Sequence, residues 1–315
     1  MAQLHAITPW LTLGGGRKGD PLELANPVIA AAGTFGAGAE LQRLGEPARP
    51  GAIVSPAVAR RTRRSVTGLQ LLEVPAGLLL TGQYPTVSHR RVVEDLAPLW
   101  RTWRSPVIVN VLADDRDACL EVAAALADVD GVSALELSFA WPVVGSTAES
   151  WLPDVVAGLT GAIASVWSRP LIAKLPYGAG DGIALATAAV EGGADAVALG
   201  GGFPGQGVWA GRNTLGAVVG PCTKPLALRV VAAVAPSVTV PLIASGGITA
   251  AADAVDFLQA GARAVQVGSA TIRDPRAVYR IAGDINTLLA THETGAQGDD
   301  RIRAVDDTIE GSRGE

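Results

Sequence analysis

Eight short apolar runs recur along this chain, and most of the gaps between them hold an alanine-rich amphipathic stretch. The runs are residues 28–33 (VIAAAG), 51–55 (GAIVS), 106–112, 133–138, 171–175, 195–200, 241–245 and 264–268. Helical periodicity marks 116–127, 153–167, 182–191, 224–234 and 250–259. Strands buried on both faces read as continuous apolar runs, whereas half-exposed strands alternate. Such runs separated by helices imply parallel βαβ units. Eight units in a chain of 315 residues predict an α/β fold of the closed (β/α)8 TIM-barrel type. The rival, an open doubly wound sheet, requires an early strand–GxGxxG–helix unit, which is missing. Hydrophobic residues make up 49% and aromatics only 4%, so the core is expected to be Ala, Val, Leu and Ile.

Two segments exceed ordinary connections. Residues 56–90 are rich in Arg, Pro and Gly and predict an inserted hairpin and loops over the barrel mouth. Residues 202–222 are also long, which fits an active-site lid. The barrel domain is expected to span 1–290, and the polar stretch 291–315 to be a mobile C-terminal tail.

The formal charge of −5 offers nothing to nucleic acid. The one basic cluster, RRTRR at 60–64, reads as a solvated loop, with a phosphate contact as the alternative. Cys119 and Cys222 form neither a metal-spacing motif nor a disulfide framework, so no metal is expected and a reducing cytoplasm is the default. There is no signal-peptide pattern. The longest uncharged run, 231–252, is broken by Pro236, Pro241, Gly246 and Gly247 and does not predict a membrane span.

Chemistry is expected at the ends of the last two strands. SGG at 245–247 and VGSA at 267–270 stand where barrels often bind phosphate. Glycine lets the backbone approach the oxygens and exposes amide donors. Gly246, Gly247, Gly268 and Ser269 would form the cradle, with Gly220 adding an amide; ordinary tight turns are the plain alternative. Lys174 lies inside the apolar run LIAKL. A buried ammonium needs a partner, and an anionic ligand such as a reduced flavin is a natural one; snorkelling at the barrel rim is the alternative. Asn110, ending PVIVN, fits a ring-edge contact or a turn cap.

Taken in order, LANPVIAAAGTFG (24–36), GAIVSPAVARR, VPAGLL (74–79), PVIVNV, ALEL, PLIAKL, GGADAVAL, GPCTKPLALRVV, SGGI and GARAVQVGSA resemble the class 1 (1B-like) dihydroorotate dehydrogenase family. The resemblance covers most of residues 20–290. It implies an FMN flavoprotein of pyrimidine biosynthesis, with FMN over the C-terminal mouth of the strands. Lys174 and Asn110 would lie near the flavin ring, Gly220, Gly246, Gly247, Gly268 and Ser269 near its phosphate, and Ala32, Gly33 and Thr34 along it. It further implies a small-molecule substrate and two candidate partners, a second copy of the chain and an iron–sulfur flavoprotein electron-transfer subunit.

The chain departs from the family on the substrate side. In ALELSFAWPVV (134–144) the family's Asn is Ser138 and its catalytic Cys is Trp141, whose indole N–H is a donor only. The Thr-Lys pair after the second strand is Ser55-Pro56, the carboxylate-gripping Asn is Leu80, and the Asn-Thr ending strand six is Gly201-Gly202. Three readings follow: an FMN-dependent dehydrogenase of CH–CH donors with an altered, less polar substrate; a non-catalytic FMN- or phosphate-binding subunit; and ordinary dihydroorotate oxidation. Tyr84, His89 and Tyr177 are candidate acids for the first, or else surface or packing residues.

Overall fold

The computed structural model describes residues 10–14, 20–37, 49–62, 70–82, 85–113, 115–139, 151–178 and 180–290. Eight parallel strands form the expected barrel: β3 (Val28–Ala30), β4 (Ala52–Ala59), β8 (Val107–Leu112), β9 (Ala134–Ser138), β10 (Leu171–Pro176), β11 (Ala196–Gly200), β14 (Leu242–Ser245) and β15 (Ala264–Val267). Each pairs with its neighbours in that order, and β3 pairs with both β15 and β4, so the sheet closes. Helices α2 (Arg116–Leu126), α3 (Pro153–Val166), α4 (Gly182–Glu191), α5 (Lys224–Val234) and α6 (Ala251–Gln259) follow five of the strands, on the segments whose periodicity predicts them. Between β4 and β8, a helical stretch over 89–100, α1, contains a π turn at Val92–Leu96. Helices α7 (Ser269–Arg273) and α8 (Ala277–Ala290) complete the described chain.

Alternation along the strands separates two cores. Leu135, Leu137, Val197 and Val265 pack outward under the helices. Ile29, Val54, Ile108, Ala134, Ile172 and Ile243 fill the barrel interior. An antiparallel hairpin of β1 (Leu11–Leu13) and β2 (Leu22–Leu24) adds Leu11, Leu13, Leu22 and Leu24 to that interior cluster. It sits at the N-terminal end of the barrel, where Trp10 Nε1 donates to the carbonyl of Arg263, just before β15. The sequence reading did not pick out this plug.

The two long segments combine. Residues 56–90 supply the hairpin β5 (Gln70–Val74) and β6 (Gly77–Thr81), and a short strand, β7 (Val87–Ser88), beside the end of β4. Residues 202–222 carry a second hairpin, β12 (Phe203–Trp209) and β13 (Arg212–Val219), whose second strand pairs with β6. The expected lid is therefore half of a four-stranded antiparallel sheet in the order β12-β13-β6-β5.

β4 continues past the predicted 51–55 to Ala59, with an extra residue between Val54 and Ala57. Pro56 has no N–H for the ladder, and a bulge is where a strand tolerates proline. The Ser55 hydroxyl repairs the gap: it accepts the N–H of Asn110 at 3.1 Å and donates to the carbonyl of Pro56 at 2.8 Å.

The first barrel seam depends on Asn26, which is buried. Its Oδ1 accepts the N–H groups of Val28 and Gly51, each at 3.1 Å, and its Nδ2 donates to the carbonyl of Arg49 at 2.8 Å. Removing it takes the side-chain acceptor from the Val28 N–H and the side-chain donor from the Arg49 carbonyl, at about 1–3 kcal/mol each in the worst case, while the Gly51 N–H keeps the Val28 carbonyl at 2.7 Å. Asn26→Ala is expected to lower unfolding stability by about 2–4 kcal/mol, read as a lower urea midpoint by far-UV circular dichroism.

Candidate functional site

A cavity opens at the C-terminal ends of the barrel strands, between them and the inner end of the four-stranded sheet, and encloses about 680 Å³ including open solvent. Its floor, its rim on the β14–β15 side and its wall on the hairpin side differ in chemistry.

The floor comes from interior positions two residues beyond the apolar plug of four strands. Ile108 leads to Asn110, Ala134 to Glu136, Ile172 to Lys174 and Ala264 to Gln266. All four polar residues are buried, Glu136 completely. Lys174 Nζ donates to Glu136 Oε1 at 3.2 Å and to Gln266 Oε1 at 2.8 Å. Asn110 Nδ2 donates to Glu136 Oε1 at 2.7 Å, and Gln266 Nε2 donates to Glu136 Oε2. The partner expected of Lys174, an anionic ligand, is thus already present as a carboxylate of the chain itself. A buried charge is tolerable only when paired and hydrogen-bonded, and here both ions are. Lys174 and Gln266 face the cavity.

The rim is a glycine cradle built from three connections. Gly220 ends β13, Gly246 and Gly247 follow β14, and Gly268 and Ser269 open α7; all five line the cavity. Gly247 has φ +71°, and a Cβ there would lie 2.9 Å from the Gly220 carbonyl oxygen and 3.0 Å from the Lys224 nitrogen. Only glycine admits both the conformation and the approach. Among the described residues, the N–H groups of Gly246 and Gly247 donate to no protein acceptor, which leaves them to an external one.

A charge cluster behind the rim holds it. Lys224, opening α5, pairs with Asp253 and Asp256, each at 2.5 Å. Asp253 also accepts the N–H of Thr249 at 2.8 Å, the N–H of Ala250 at 2.9 Å and the Thr249 hydroxyl at 2.9 Å, fixing the turn that leaves Gly247. Burial works against both charges, but their mutual attraction and hydrogen bonds outweigh it. Asp253 therefore lies below the usual carboxylate range and Lys224 above the usual lysine value.

The wall is apolar. Leu80, Val219 and the Gly201-Gly202 pair line it. Gly202 has φ +84°, and a Cβ there would stand 2.7 Å from the Val218 carbonyl oxygen and 2.8 Å from Val219 Cγ1. Gly201 also has positive φ, +90°. Tyr177 is buried against the same cavity, its ring stacked on Phe203 at 4.5 Å, and its hydroxyl donates to the Ser245 carbonyl at 2.5 Å. Burial pushes that hydroxyl well above its ordinary pKa. Lys174 and Tyr177 are the only titratable side chains among the described lining residues.

Of the sequence candidates, Ala32, Thr34, Lys174, Gly220, Gly246, Gly247, Gly268 and Ser269 line the cavity. Gly33 lies in the turn between Ala32 and Thr34 with φ +77°. Asn110 sits beneath the lining, with its amide N–H on Glu136. His89 lies in α1 and does not line the cavity. Nor do Arg60 and Arg61; Arg60 pairs with Glu121 on α2 at 3.5 Å instead. Trp141, Tyr84 and the tail 291–315 lie outside the described residues. Glu136 and Gln266 went unnoticed as site residues. The signal was a polar side chain two positions after an interior alanine, repeated on two strands.

Fold and site together define a closed (β/α)8 barrel with its cavity at the carboxyl-terminal mouth, where enzymes of this architecture work. Residues 20–289 match the family model for dihydroorotate dehydrogenase. The chain is 34% identical to the dihydroorotate dehydrogenase B (NAD(+)) catalytic subunit of Geotalea daltonii, over 85% of this chain and 91% of that one. It is 35% identical to the protein of the same description from Maridesulfovibrio salexigens, over 85% and 91%. A crystal structure of Eimeria tenella DHODH in complex with ferulenol superposes with a TM-score of 0.72 at 18% identity, covering 91% of this chain and 86% of the other, and so shares the fold. The chain belongs to the dihydroorotate dehydrogenase family. Among the described residues, no helix is long and apolar enough to cross a membrane and no metal-ligating cluster occurs.

The Lys224–Asp253 cluster predicts a pH signature. A carboxyl held below its unfolded pKa stabilises the fold above the unfolded value, and that contribution is lost as pH falls through the folded one. Asp253→Asn should therefore lower the thermal midpoint at pH 7, and the gap to the parent should close as pH falls below about 4. A pH series of thermal melts checks this.

Proposed function

We propose that the chain is an FMN-dependent oxidoreductase of CH–CH donors, acting on a substrate less polar than dihydroorotate. One contrast supports this reading: the cradle and the floor keep the means to hold an anionic cofactor, while the wall has lost its amides. Gly220, Gly246, Gly247, Gly268 and Ser269 would take the phosphate, Ala32, Gly33 and Thr34 would flank the ring, and Lys174 would meet its edge, with Asn110 acting through Glu136. The cradle fits, because its glycines allow backbone conformations and close approaches that a side chain would block, and among the described residues the N–H groups of Gly246 and Gly247 have no protein acceptor.

When bound, FMN accepts the hydride. The chain's own residues hold, orient and exclude water. At the wall, Leu80 and the two glycines offer a substrate no hydrogen bond from a side chain. Gly202 is more than a truncation, since its left-handed backbone and the closeness of Val218 and Val219 leave no room for a threonine, and Gly201 shares the positive φ. Each lost hydrogen bond weakens a polar substrate by about 0.5–1.5 kcal/mol, and more against a charged one. Among the described lining residues a free base is missing as well. Trp141 offers only a donor, and the Tyr177 hydroxyl is committed to Ser245. A substrate whose carbon is already activated needs no protein base.

The names of the relatives favour a second reading, oxidation of dihydroorotate itself. Their description as catalytic subunits also supports an electron-transfer subunit as partner here, and a cytoplasmic location fits. The purified chain is expected to take up FMN and turn yellow. Anaerobic dihydroorotate should leave that absorbance unbleached, and Trp141→Cys alone should form no orotate. Bleaching of the parent protein by dihydroorotate would establish the second reading instead. Gly247→Ala should weaken FMN binding at least tenfold, about 1.4 kcal/mol, measured by fluorescence titration.

A further inference from the structure

We propose that Glu136 is a positioning residue that sets the redox potential of the bound flavin by cancelling most of the charge of Lys174. This rests on the FMN reading above. Lys174 is the one cationic side chain among the described lining residues. Alone under a flavin, an ammonium stabilises the negative charge that the ring gains on reduction and raises the potential. It is not alone. Glu136, with no exposed surface, lies 3.2 Å from it, and the remaining carboxylate capacity is taken by Asn110 and Gln266.

The arrangement fixes the signs. Gln266 presents its oxygen to Lys174 and its amide nitrogen to Glu136, so its orientation is locked between the two ions. An ammonium has three donors; Glu136 and Gln266 take two, leaving one for a ligand. A ring edge over this floor meets one hydrogen-bond donor and a nearly neutral ion pair, rather than a free cation. The floor so built favours a low potential, and Glu136 exerts its effect without touching the ring.

The test uses the full-length chain loaded with FMN, its midpoint potential measured by spectrophotometric equilibration with a reference dye. Glu136→Gln removes the negative charge in an isosteric side chain and should raise the potential by at least 30 mV, a tenfold change in the two-electron equilibrium. Lys174→Met should lower it. Gln266→Glu, which adds a second carboxylate beside Lys174, should also lower it. The opposite signs of Glu136→Gln and of either Lys174→Met or Gln266→Glu support the inference, and Glu136→Gln with one of the other two, each loaded with FMN, suffices to show them. Unchanged potentials, or shifts of Glu136→Gln and Lys174→Met in one direction, would overturn it, as a purely structural role moves stability and not the sign of a potential. Failure of the parent chain to take up FMN would instead strike the proposed function.

Discussion

Because β3 pairs with β15 on one side and β4 on the other, every second side chain of eight strands is forced into one enclosed interior. Such a space tolerates polar atoms only where each finds a partner. The chain meets that constraint by depth. Leucines from the β1–β2 plug and isoleucines and alanines of the strands fill the N-terminal part. One step further along the strands come Asn110, Glu136, Lys174 and Gln266, which satisfy one another. A change at one member of the polar layer is felt by the others. Removing one member of a buried ion pair strands the other, at about 3–5 kcal/mol.

Among the described residues, the hairpin plugs one end of the barrel and the cavity opens at the other. What covers the mouth is set by pairing between segments far apart in sequence. Leu78, Leu79 and Leu80 of β6 pair with Val219, Val218 and Ala217 of β13, so the two insertions share one sheet. Leu80 and Val219 come to the cavity on the same side of that sheet. The tightness of Gly202 against Val218 and Val219 follows from the same pairing. Positions 80 and 202 are thus linked through β13.

The fold was legible because buried parallel strands write themselves as apolar runs, and all eight runs became barrel strands. The cradle positions were legible because glycine pairs at two successive strand ends have few other uses. What stayed hidden was relational. Lys174 alone suggested a ligand, while its true neighbour Glu136 looked like a single charge in ALELS. Registers such as Asn110 opposite Glu136 are set by strand pairing, which no local pattern encodes. The sheet formed by the expected lid stayed hidden for a similar reason. A hairpin that borrows its partner strand from residues 77–81 looks like a loop when read by itself.

Wall and floor act on each other through the dielectric. Amides at positions 80 and 201 and a hydroxyl at 202 would bring dipoles and water toward the floor; leucine and glycine do not. A drier cavity lowers the effective dielectric around Lys174 and Glu136, and every charge there acts more strongly on whatever lies above it. In such a setting an unpaired ammonium would dominate the electrostatics of a bound ring, and a paired one leaves the balance to small asymmetries in position. The apolar wall and the neutralised floor are thus consistent parts of one cavity. On the proposed reading the wall would select against polar ligands, and the carboxylate beneath Lys174 would keep the stronger field that results from acting as a full positive charge.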